Sequence, residues 1–107
     1  MGATLMDTGA GGAMAEEQAR LVAMARGRVQ MVGYRDFVRR QAVSLRLRGY
    51  VLNLPSGEEV LVEAEGSRAA LEELLLQLQR GPPLAAVQNV GVTWAQAAGQ
   101  FPDFRVR

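Results

Sequence analysis

The 107-residue sequence contains no cysteine and no histidine. The first absence excludes disulfides and thiolate chemistry. The two together remove the usual ligands of zinc, copper and haem. Without histidine, any general acid or base must be a carboxylate, a water or the substrate itself. No apolar run approaches the roughly 18 residues that a membrane-spanning helix needs. A strong charge imbalance is also missing: 12 basic residues stand against 11 acidic ones. A uniformly basic nucleic-acid binder is therefore not expected. The length suits one compact domain with a core of its own, and not two.

All 12 basic residues are arginine. Biased codon usage explains this most simply, but arginine also pairs bidentately with phosphate and carboxylate through a rigid planar fork. The charges are unevenly placed. Between Arg28 and Arg48 six arginines face one acid, Asp36, whereas between Glu58 and Glu73 six glutamates face one arginine, Arg68. The first region is a local basic patch, and the glutamates read as a solvated face.

Residues 1–18 are rich in small side chains and show no helix or strand period, so a flexible N-terminal extension is expected there. They lack the basic start and apolar centre of a secretory signal, and Met14 is a second candidate start. The expected domain is 19–107. Arg20 to Gly27 is mostly apolar and reads as a central strand. A loop with glycine at each end follows, Gly27-Arg28-Val29-Gln30-Met31-Val32-Gly33, and a helical period starts at Tyr34. Val38, Ala42 and Leu45 share one helical face, which predicts a helix over 34–48 stopped by Gly49. Tyr50–Leu54 and Glu58–Glu65 read as a hairpin around a type I turn at Leu54-Pro55-Ser56-Gly57. Ser67 caps a second helix with Leu71, Leu74, Leu75 and Leu78 as its apolar stripe, ended by Gly81-Pro82-Pro83. Val87–Gln96 is a fourth strand, with Val90, Val92 and Trp94 on one side, and Phe104–Val106 a short fifth. The order β-α-β-β-α-β, plus the extra strand, predicts an α+β ferredoxin-like sandwich: an antiparallel-dominated sheet with two helices on one face.

The glycine-bounded loop between strand and helix has the chemistry of an anion cradle. Its N–H groups, the orphan donors of the first helical turn and Arg35 converge on one place. Taken singly, the residues have plainer readings. Arg35 is a solvated residue at a helix start, Asn53 a turn residue, and Tyr34, Phe37, Tyr50 and Trp94 core aromatics.

Two segments together resemble the acylphosphatase family over residues 20–107. The family's phosphate-loop pattern, Gly-x-Val-Gln-Gly-Val-x-(Phe/Tyr)-Arg, stands here as Gly27-Arg28-Val29-Gln30-Met31-Val32-Gly33-Tyr34-Arg35. Its second pattern, Gly-(Trp/Tyr)-Val-x-Asn with a turn and a glycine, stands as Gly49-Tyr50-Val51-Leu52-Asn53-Leu54-Pro55-Ser56-Gly57. The resemblance implies hydrolysis of the carboxyl–phosphate bond of acyl phosphates to carboxylate and inorganic phosphate. It assigns the phosphate to Arg35 and to the loop residues Val29, Gln30, Met31, Val32, Gly33 and Tyr34, and the attacking water to Asn53. It implies no metal and no cofactor, a small-molecule substrate as partner, no nucleic acid or membrane, and a cytoplasmic monomer. Met31 stands where the family loop usually carries glycine. A left-handed backbone there costs a non-glycine residue about 1–2 kcal/mol. A catalytically weak domain of the same family, binding small anions or a partner, is the alternative. An RNA-binding module of the same element order fits poorly, because Glu58–Glu65 is acidic and offers no aromatic stacking residue.

Overall fold

The computed structural model describes residues 17–107; up to residue 16, the expected extension lies outside the described residues. The elements are β1 (Gln18–Arg28), α1 (Tyr34–Ser44), β2 (Arg48–Asn53), β3 (Glu59–Ser67), α2 (Arg68–Arg80), β4 (Ala86–Ala95) and β5 (Phe104–Val106). They form a five-stranded sheet of order β4-β1-β3-β2-β5. Its pairs are antiparallel except β2–β5, which is parallel. This is the ferredoxin-like α+β arrangement that the element order predicts.

The alternation in β1 decides how the layers meet. Ala19, Leu21, Ala23 and Ala25 are buried on one face, opposite Val60, Val62 and Ala64 of β3. The alanines keep this face shallow, so Leu71, Leu74 and Leu78 of α2 and Val38 and Ala42 of α1 close the core over it. On the other face Arg20 pairs with Glu63 at 3.0 Å and Arg26 with Glu59 at 2.6 Å. Ser67 caps α2 as expected, its hydroxyl accepting from Ala70 N–H at 3.1 Å. The Leu54–Gly57 turn closes with Gly57 N–H donating to Leu54 C=O at 3.3 Å.

Three expectations change. Helix α1 stops at Ser44 and not at 48, because Arg46 takes a left-handed conformation at φ 60°. Leu47 N–H then donates to Ala42 C=O and Arg46 N–H to Val43 C=O, which is the Schellman closure, with buried Leu47 as its apolar contact. Gly49 instead lies inside β2, where a Cβ would sit 1.9 Å from Glu63 C=O. Glycine is required there for strand approach and not for a helix stop. Tyr50 is not a core aromatic. It lies on the open face of the sheet, donates to Glu63 Oε1 at 2.7 Å and meets Phe101 edge-on.

The glutamates of β3 are not one solvated face either. Glu65 is buried, and its two oxygens accept from Ala98 N–H at 2.8 Å and Gly99 N–H at 2.9 Å. Those bonds hold the segment that leads to β5. Hydrogen bonds to a charged group contribute about 1.5–3 kcal/mol each, partly offset by burying the charge. Glu65→Ala is therefore expected to lower unfolding stability by about 3 kcal/mol. Urea denaturation checks this, and a midpoint unchanged from wild type would refute the role.

Candidate active site

The loop after β1 is built to open at one end of the sheet. Val29 is buried and anchors it, and Val32 packs against the core. Between them Met31 has φ 62° and a fully exposed side chain, at 100% relative accessibility. Gly33 follows at φ 79° and occupies the N-cap of α1, where no side chain caps the helix. Phe37 N–H donates to Gly33 C=O at 3.0 Å, the first bond of the helix. The N–H groups of Tyr34, Arg35 and Asp36 precede that bond and are the orphan donors of the helix start.

These donors border a cavity of about 280 Å³. Val29, Met31, Gly33, Tyr34, Arg35 and Asp36 line it from the loop and helix, Asn53 from the end of β2, and Val106 from β5. Arg35 and Asn53, 18 positions apart, thus face one space. Asn53 reaches it because it shares the helix-facing side of β2 with buried Val51; Leu52 points to the opposite face. Asn53 Oδ1 is buried and accepts no hydrogen bond from the described residues. Arg35 donates through Nη1 to Arg107 C=O at 2.9 Å. That single bond aims the guanidinium and leaves most of its five donors unspent.

The remaining expected residues support the cavity more than they line it. Gln30 is outside the lining set: its Nε2 donates to Leu54 C=O at 2.9 Å and Glu59 C=O at 3.0 Å. It therefore ties the loop to the hairpin that carries Asn53. Tyr34 lines the cavity at its helix start, but its ring is buried and its hydroxyl donates to Leu78 C=O at 2.8 Å. Burial pushes its phenol pKa well up, so it remains a neutral donor. Asp36, Val106 and Arg107 were not expected in the site. Asp36 is adjacent to Arg35 in the chain and pairs with Arg40 at 3.1 Å. Val106 and Arg107 arrive through the parallel β2–β5 pairing, with Arg107 N–H donating to Val51 C=O at 2.8 Å.

Fold and cavity together define a small ferredoxin-like domain whose β1–α1 loop and helix start open on a cavity at one end of the sheet. The acylphosphatase family model matches residues 21–106. The acylphosphatase of Thermus thermophilus is 52% identical over 80 residues, spanning 75% of this chain and 90% of that one. That of Dehalococcoides mccartyi is 47% identical over 87 residues, spanning 81% and 96%. The crystal structure of acylphosphatase from Bacillus subtilis superposes with a TM-score of 0.80 at 30% identity, covering 83% of this chain and 98% of that one. The chain belongs to the acylphosphatase family. It is a hydrolase, and its reaction is the hydrolysis of acyl phosphates.

Proposed function

We propose that the hydrolysis runs through Arg35, Asn53 and the backbone of the 28–35 loop. The loop and helix-start N–H groups and the Arg35 guanidinium hold the phosphoryl oxygens. Asn53 Oδ1 accepts a hydrogen bond from a water and aims its lone pair at phosphorus, in line with the acyl oxygen. As the new O–P bond forms, the P–O bond to the acyl group breaks and the carboxylate leaves. The water's proton passes to a phosphoryl oxygen of the substrate. A carboxylate is already a good leaving group, so positioning and charge stabilisation carry the reaction. Amide oxygen orients a water without being a strong base, which suits a site with no histidine.

The observation that carries this reading is that Asn53 lines the same cavity as Arg35, while its buried Oδ1 has no hydrogen-bond partner among the described residues. Buried acceptors are nearly always paired, and an unpaired one on a residue that lines a cavity points to a ligand donor. A monomeric, cytoplasmic enzyme is part of the same proposal.

The test is loss of benzoyl phosphate absorbance in the presence of the pure protein, with inorganic phosphate as competitor. Phosphate binding only the folded state also raises thermal stability. For a dissociation constant of about 1 mM, 10 mM phosphate adds about 1.4 kcal/mol, roughly 6–11 °C for a domain of this size. No turnover, or no shift in melting temperature, would count against the assignment.

A further inference from the structure

We infer that Met31 sets the acyl-group preference of this site, favouring acyl phosphates whose acyl part is uncharged and apolar, aromatic above all. The inference rests on the acyl phosphate reading of the cavity. Met31 sits at φ 62°, where a non-glycine residue carries a steric cost that glycine would avoid. Its side chain is 100% exposed, so no packing within the described residues offsets that cost. The fold alone therefore favours glycine at this position. Met31 also lines the cavity, and the other exposed apolar side chain of that lining is Val106, at 41% relative accessibility. With the phosphoryl group on the helix start, an acyl group leaving the cavity meets this apolar rim. A flexible thioether adapts to varied shapes and makes favourable contacts with aromatic ring edges. Arg35 is assigned to the phosphoryl group, and the other charged residue of the lining, Asp36, is a carboxylate paired with Arg40 at 3.1 Å, so the acyl part meets no unpaired cation there.

The test compares kcat/KM for benzoyl phosphate and acetyl phosphate in wild type, Met31→Gly, Met31→Gln and Met31→Leu. Covering about half of a methionine side chain corresponds to roughly a tenfold effect. The benzoyl-to-acetyl ratio is expected to fall about tenfold in Met31→Gly and Met31→Gln, mainly through KM, and to stay near wild type in Met31→Leu. Met31→Gln keeps the length and the left-handed strain, so a fall there separates apolar contact from backbone relief. Turnover of both substrates with an unchanged ratio in Gly and Gln overturns this inference and leaves the underlying activity standing. Turnover of neither by wild type overturns both.

Discussion

Arg35→Ala is expected to lower kcat/KM for benzoyl phosphate by about a thousandfold, or roughly 4 kcal/mol of transition-state stabilisation. Arg35 is the only cationic side chain among the described residues that line the cavity. Its loss leaves the loop and helix N–H groups to hold a phosphoryl group whose charge spreads over its oxygens as the acyl oxygen departs. Arg35→Lys should recover only part of the activity, because an ammonium is a point charge without the planar fork. The fold should be nearly indifferent. The guanidinium is exposed, and its one bond within the protein, to Arg107 C=O, contributes about 1 kcal/mol or less. Phosphate binding supplies the second readout: the rise in melting temperature with phosphate should disappear in Arg35→Ala. A variant that keeps both full activity and the phosphate shift would remove Arg35 from the mechanism.

The position of Arg35 explains a feature that is unfavourable when the fold is considered alone. A cation in the first turn of a helix opposes the helix dipole. Asp36 in the same turn offsets this, and its pairing with Arg40 at 3.1 Å one turn later keeps its carboxylate occupied. A bound phosphoryl group reverses the balance, since both the guanidinium and the helix start then face an anion. On the proposed mechanism, the first turn of α1 is thus electrostatically complementary to the phosphoryl group.

Local patterns made most of this architecture legible. The period change at Tyr34, the Ser67 cap and the Leu54–Gly57 turn are each set by residues within a few positions of one another, and each appears where the chain predicts it. The two segments that line the cavity were readable for the same reason. What stayed hidden depends on pairing at a distance. Val106 and Arg107 join the site only because β5 runs parallel to β2, which no local signal specifies. The buried role of Glu65 depends on a loop more than 30 residues away, so its strand looked like a plain acidic face. The early stop of α1 has no local sequence signal, because Arg46, and not a glycine, takes the left-handed position. Gly49 carried the expected stop signal but serves the close approach of β2 to β3.

Asn53→Ala should lower kcat for benzoyl phosphate by about 100- to 1000-fold, the usual effect of removing one preorganised polar group from a reacting centre. Its signature should differ from that of Arg35→Ala. Asn53 is assigned to the water and not to the phosphate, so KM and the phosphate-induced thermal shift should stay close to wild type. Stability separates this role from a structural one. An asparagine that fastens a strand end does so through paired amide atoms, and truncating it leaves partners unsatisfied at about 1–3 kcal/mol. Here Oδ1 has no partner among the described residues, so truncation removes a buried acceptor that the fold does not use. The melting temperature of Asn53→Ala should therefore equal or slightly exceed that of wild type. Asn53→Asp offers a sharper test. It keeps an acceptor for the water but places a negative charge facing the phosphoryl site, so phosphate binding should weaken while the fold persists. If Asn53→Ala were instead destabilised by 2 kcal/mol or more, with kcat per folded molecule intact, the residue would be a strand anchor and the water would need another holder.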